Sequence, residues 1–167
     1  MKYKNSCRNS LLNLLETHPE LAKELHPTMN GDLNVMDLKA DSKVKVWWLH
    51  PYDDPVTGKH YDFVWSDTVT ERVVDARCPY LTGKAVWPGY NDIQTKDAEL
   101  ASQWHPTLNG EMKASEISVS SDMSVWWLYP YDDPKTGAHY DYVWKASPSD
   151  RSRSRGCPYL NNQGARR

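Results

Sequence analysis

The sequence predicts an α+β fold of two small tandem modules, each a helix followed by a tryptophan-rich β-hairpin. Three observations predict it. The first is that one module is written twice. His26-Pro27-Thr28 returns as His105-Pro106-Thr107, and Val46-Trp47-Trp48-Leu49 as Val125-Trp126-Trp127-Leu128. Pro51-Tyr52-Asp53-Asp54-Pro55 returns as Pro130-Tyr131-Asp132-Asp133-Pro134, and Cys78-Pro79-Tyr80-Leu81 as Cys157-Pro158-Tyr159-Leu160. The offset is 79 residues throughout, and about 30 of 66 aligned positions (18–83 against 97–162) are identical, far above chance for a fixed period. The second is that each copy opens on a short helical pattern that His-Pro ends, because the residue before proline is driven out of the helical region. The third is that two runs rich in Val, Trp and Tyr follow, separated by a segment of Pro, Asp and Gly.

The repeat divides the 167 residues into a first module over 8–83 and a second over 84–163, which includes the connection. Modules of that size have marginal cores and usually need a metal, a disulfide or a neighbour. The three cysteines, Cys7, Cys78 and Cys157, cannot all pair, and two of them are equivalent repeat positions. This argues against a disulfide framework and for a reduced, cytoplasmic protein. A net charge of −2 excludes a polyanion binder by bulk composition. There is no apolar run long enough to span a membrane and no secretory h-region.

Along one module, Thr17 or His18 precedes Pro19 at a favoured first-turn position, and Glu20–Leu25 continues the helix. In the second copy Thr95 or Asp97 caps Ala98–Trp104. Turns are expected at Asn30-Gly31 and Asn109-Gly110, then short helical turns near Asn34–Leu38 and Ala114–Ile117. A strand is expected over Val44–Leu49 (Met123–Leu128), an ordered loop over Pro51–Gly58 (Pro130–Gly137) and a return strand over His60–Trp65 (His139–Trp144). A polar loop then leads to the Cys-Pro-Tyr-Leu corner. The connection Thr82–Asp92 is too apolar for a flexible linker, so it should pack and fix the modules relative to each other. The first ten and last five residues are expected to be loose.

Eight Trp and ten Tyr stand against one Phe. Six of the Trp form matched pairs, which reads first as core. Adjacent tryptophans on a strand face opposite ways, so one of each pair is free to stack on a base; Trp48 and Trp127 are taken as those. After Asp150 come Arg151, Arg153, Arg155, Arg166 and Arg167 with no acid among them. With Arg72, the equivalent of Arg151, the first three make a candidate phosphate-contacting set. Asp53-Asp54 and Asp132-Asp133 read as turn chemistry. No phosphate loop, nucleophile elbow or His-Asn nuclease constellation is present, so no catalytic residue, cofactor or small-molecule substrate is expected.

The succession Leu-Ala-x-x-Trp-His-Pro-Thr-x-Asn-Gly, Val-Trp-Trp, a His followed by an aromatic and Trp, and Cys-Pro-Tyr resembles the tandem treble-clef or zinc-ribbon repeat family over roughly residues 10–162. Trp87-Pro88-Gly89-Tyr90-Asn91-Asp92 is similar to that family's spacer. The resemblance implies four zinc ligands per repeat: a Cys just after Trp-Trp-x, a His opening the second strand, and two cysteines of Cys-Pro-Tyr-Cys. Those places hold His50, His60, Cys78 and Leu81 in the first copy, and Tyr129, His139, Cys157 and Leu160 in the second. Leucine cannot ligate, and nine residues lie between His50 and His60. The resemblance therefore implies vestigial ligand positions in a metal-free branch. Leu81/Leu160, Tyr80/Tyr159, the Trp pairs and the Pro-Tyr-Asp-Asp-Pro loops are the candidates to replace the ion's stabilisation. It also implies a non-enzymatic binding module, with nucleic acid held by the basic loop of the second repeat. The alternatives are a protein–protein module (an adaptor, or an inhibitor of a nucleic-acid enzyme) and a zinc domain with a partial site.

Overall fold

A computed structural model describes residues 12–154 and 156–160. The loose ends expected of the sequence, with Cys7, Arg155, Arg166 and Arg167, lie outside the described residues. The chain divides into two compact units, one ending at Cys78 and one beginning at Pro79.

In the first unit, α1 (Leu14–Thr17) is a single turn held by a reciprocal cap. Asn13 accepts from the Glu16 N–H at 2.9 Å, and Glu16 accepts from the Asn13 N–H at 3.0 Å. α2 (Pro19–Lys23) starts on its proline, whose missing N–H costs nothing in a first turn. A 3₁₀ turn at Val35–Asp37 precedes the hairpin of β1 (Lys45–Asp53) and β2 (His60–Thr68), antiparallel with Trp48 opposite Trp65. α3 (Val69–Val74) closes the unit.

His-Pro-Thr-x-Asn-Gly joins the end of α2 to the hairpin. The His26 ring accepts the Thr28 and Met29 N–H groups, and Gly31 takes φ 58°, a value that suits glycine. The Asn30 amide then grips the Trp47 backbone, accepting its N–H at 2.7 Å and donating to its carbonyl at 2.9 Å. Leu49 N–H donates to the Glu24 carbonyl, so residues 24–26 lie beside β1. Because backbone groups alternate along a strand, Pro51, like Trp47 and Leu49, turns its nitrogen away from β2. Proline there removes no ladder bond, and the strand runs on to Asp53. The loop expected over Pro51–Gly58 is shorter for this reason.

The second unit repeats the plan with α4 (Ile93–Lys96), α5 (Ala98–Ser102), a 3₁₀ turn at Ala114–Glu116, β3 (Val125–Asp132), β4 (His139–Ala146) and α6 (Pro148–Arg153). Asp97 caps α5 by accepting from Leu100 N–H, and Asn109 grips Trp126 as Asn30 grips Trp47. The connection is part of this unit. Buried Asn91 ties Trp87 N–H to the Tyr80 and Ala85 carbonyls, and fully buried Asp92 accepts from Gly89 and Thr95. The segment expected as a polar loop is helical in both units, each helix capped by a hydroxyl, Thr68 and Ser147.

Each core lies on one face of its hairpin. In the first unit Val46, Trp48, Phe63 and Trp65 of the hairpin are buried, as are Leu14, Leu21, Leu38, Val69 and Cys78. In the second, Val125, Trp127 and Trp144 meet Ile93, Leu100, Ala114 and Cys157.

Candidate functional site

The arginine expected on a basic surface is the centre of each core. Arg72, on the last turn of α3, is 1% exposed. Its Cζ lies 5.3 Å from the Trp48 ring centroid and 5.2 Å from that of Trp65. Its Nη1 donates to the Asp75 and Arg77 carbonyls at 2.9 and 3.2 Å, and its Nη2 to the Glu24 carboxylate. Arg151 repeats this in α6. Its Cζ is 5.5 Å from the Trp127 ring and 5.0 Å from the Trp144 ring, Nη1 donates to the Ser154 and Gly156 carbonyls, and Nη2 donates to Gln103 Oε1. One planar cation thus joins the end of the first helical segment, both strands, and the loop before the Cys-Pro corner. A desolvated cation over an indole contributes about 2 kcal/mol, and the guanidinium fork gives several fixed donors at once. Burial pushes the Arg151 pKa down, yet a guanidinium stays charged in a protein.

This corrects the surface assignment of Arg72, Arg151, Trp48 and Trp127. Both tryptophans have no exposed surface, and both arginines are buried, so none of the four presents a group to a phosphate or a base. Arg153 stays exposed, its Nε donating to the Ser149 carbonyl at 3.0 Å; Arg155 lies outside the described residues. The outward members of the pairs are Trp47, 38% exposed, and Trp126, over whose ring Lys145 Nζ sits at 4.9 Å.

The vestigial ligand positions do not converge. His50 lies opposite Phe63 on the core face, its Nδ1 2.9 Å from Glu24. His60 is three residues from Phe63, hence on the other face of the sheet and about 10 Å along it. There its ring nitrogens meet Asp53 at 2.6 Å and Asp62 at 3.3 Å, and His139 meets Asp132 and Asp141 at the same distances. The hydrogen bond that the ring donates to Asp53 raises the His60 pKa, and that to Asp132 raises the His139 pKa. Cys78 and Cys157 are both buried. Leu81 and Leu160 stand where the last ligands would be, and both are exposed. Asp54 and Asp133 close the hairpin turns, accepting from Val56 N–H and Thr57 Oγ1, and from Lys135 N–H and Thr136 Oγ1.

Both units stack rings at the loop end of the core face: Tyr61 lies on buried Phe63 at 5.6 Å and 8° in the first, and the second unit extends the stack by a third ring. At the loop end of its core face, Tyr140 stacks on Tyr142 (centroids 6.0 Å apart, 12° between planes) and Tyr142 on Tyr159 (5.2 Å, 19°). Tyr140 and Tyr159 are 45% and 46% exposed, whereas the first copy has buried Phe63 where the second has Tyr142. Nothing in the repeat pattern marked this surface. The signal was the paired change of His50 to Tyr129 and Phe63 to Tyr142, which are cross-strand neighbours.

A short helical start, a hairpin and a Cys-Pro corner, repeated twice around a buried arginine, define a small tandem α+β binding module of the treble-clef kind. The chain belongs to the family described as probable treble clef zinc finger domain, whose model matches residues 21–84 and 100–162. No curated protein matches the sequence. Domains of this family's kind are generally binding modules. The zinc that the family name implies does not fit the residues here. Two of the first copy's ligand positions sit on opposite faces of a sheet, and among the described residues no three His, Cys, Asp or Glu side chains are grouped to hold an ion. Among the described residues no helix is long and apolar enough to cross a membrane.

Proposed function

We propose that the chain is a non-enzymatic binding module whose partner is a protein, engaged through the second repeat. The observation that carries this reading is the character of the surface that sets copy two apart. It is a ladder in which exposed Tyr140 and Tyr159 stack on half-buried Tyr142, rather than a cationic groove. A nucleic-acid groove draws its affinity from several exposed cations along the backbone, and of the six residues first assigned to that role only Arg153 is exposed among the described residues.

The test is fluorescence anisotropy of labelled single- and double-stranded DNA and RNA, at low and at physiological salt, with the wild type and with Arg153→Ala. The protein reading expects no salt-dependent binding in either. Binding that weakens steeply with salt and is lost in Arg153→Ala would replace it by the nucleic-acid reading.

A further inference from the structure

Five tyrosines of the second unit gather on one end of one sheet face. Tyr129 and Tyr131 on β3 lie opposite Tyr142 and Tyr140 on β4, and Tyr159 reaches in from the Cys-Pro corner. Three rings form a ladder with two ring-to-ring steps of 6.0 and 5.2 Å, a length on the order of one turn of polyproline II helix (~9 Å). Tyr159 is braced from below, its ring edge-on to buried Trp144 at 6.3 Å and its hydroxyl 3.5 Å from the Val143 carbonyl. The platform is therefore built on the core. The hydroxyls of Tyr140 and Tyr142 have no hydrogen-bond partner among the described residues.

The charge beside the ladder selects its occupant. The turn between β3 and β4 carries Asp133, two residues along the chain from Tyr131 of the Tyr131–Tyr140 pair, and its carboxylate accepts from the Lys135 N–H and the Thr136 hydroxyl, which hold its pKa down. Asp132 and Asp141 lie with His139 on the opposite face of the sheet, so Asp133 is the acid at this end, and Lys135 is the only lysine or arginine in that turn. The first copy has the equivalent Asp54 buried. A phosphate backbone would meet repulsion here, whereas an arginine or lysine side chain would be drawn in. The edges of the stacked rings, the unpaired hydroxyls of Tyr140 and Tyr142 and the one acidic end match an extended proline-rich strand, whose backbone carbonyls are unpaired and whose rings pack against tyrosine.

We propose that the Tyr140–Tyr142–Tyr159 ladder is a docking site for a proline-rich, polyproline II segment of a partner protein, with a basic residue of that segment facing Asp133. This rests on the protein-binding reading above and names the ligand class for it.

The test titrates the full chain into four labelled probes. These are a short peptide alternating proline and leucine with one terminal arginine, the same peptide with glutamate for that arginine, the same peptide with alanine for every proline, and an oligo-dT of similar length. Tyr140→Ala and Tyr159→Ala alter exposed rings, and Tyr61→Ala is the first-copy counterpart of Tyr140→Ala; circular dichroism establishes that each folds. The arginine-bearing proline peptide is expected to bind best. It should weaken by about tenfold or more in either ladder variant, weaken with glutamate, and be unaffected by Tyr61→Ala. Failure of that peptide to bind, or equal binding by the ladder variants, overturns the proposal. Binding of the alanine peptide as tightly, at the same tyrosines, overturns the polyproline assignment and leaves the protein reading standing. Binding of oligo-dT at those tyrosines overturns both.

Discussion

Arg72 and Arg151 occupy equivalent places, but what faces them differs. Arg72 donates to the Glu24 carboxylate, Arg151 to the neutral Gln103 amide. The second unit therefore buries a cation with no carboxylate hydrogen-bonded to it, its charge offset by two carbonyls, an amide, two indole faces and the field of Asp97. Gln103→Glu would give Arg151 the partner that Arg72 has. A charge-assisted bond exceeds a neutral one by about 1 kcal/mol, so the second unit should be more stable by that order, read as hydrogen-exchange protection over residues 93–157. Arg72→Met keeps the length and removes the fork. It leaves Glu24 half-buried without its cation and two carbonyls unpaired, and should cost about 3 kcal/mol in urea unfolding followed by tryptophan emission. Arg72→Lys should recover only part of the loss, because an ammonium lacks the planar fork. This role was legible in part. Between Trp65 and Cys78 the arginine is the only residue that both copies retain, and retention in both copies points to architecture. Its direction was not legible, because an arginine in a polar, serine-rich stretch resembles a solvated one until its helix is known.

That helix is an element the sequence did announce. Thr68-x-x-Glu71 and Ser147-x-x-Asp150 have the spacing of a helix N-terminus, and both hydroxyls cap their helices. The run was too short and too polar to show an apolar period, so the caps were its only mark. The strands ran past their expected ends for the opposite reason. Proline argues against a strand in general, and which side its nitrogen faces is known only once Glu24 and Asn30 occupy the other side of β1. The Asn-Gly turns were legible as turns, but not as clamps. Asn109→Ala should cost about 2 kcal/mol, since it unpairs the Trp126 N–H and leaves its carbonyl to the His105 N–H alone, measurable by thermal melting. At the hairpin mouths His60 and His139 each bridge two carboxylates across the strands. Their raised pKa values mean that the bridged form binds the proton more tightly than the unfolded chain. The stabilisation is complete below the unfolded pKa of about 6.5 and is lost as pH rises through the folded value. Histidine NMR titration should place both above the unfolded value, and Asp53→Asn should bring His60 down while leaving His139 in place.

At the scale of the whole molecule, two units each close around a guanidinium with the family's ligand places occupied by residues that do not converge. Unfolding midpoints should be the same with and without a strong chelator, and added zinc should raise neither; a chelator-induced fall would place an ion in the fold after all. The duplication, the hairpins and the paired tryptophans were all legible, because repetition at constant spacing needs no physics to detect. The tyrosine ladder was not: Tyr140 and Tyr159 recur as Tyr61 and Tyr80, among its rings only Tyr142 in place of Phe63 separates the copies, and one divergent position does not distinguish drift from a surface put to use. The constant spacing has another consequence. The two hairpins share a register, Trp48 opposite Trp65 and Trp127 opposite Trp144, so β1 laid against β4 would satisfy every ladder bond and bury the same rings. A chain refolding from denaturant therefore has a wrong partner as attractive as the right one, and strand exchange within a single molecule should trap a fraction that protein dilution does not reduce. Synthesis from the N-terminus avoids this by order alone, since β1 and β2 can pair before β4 has been made.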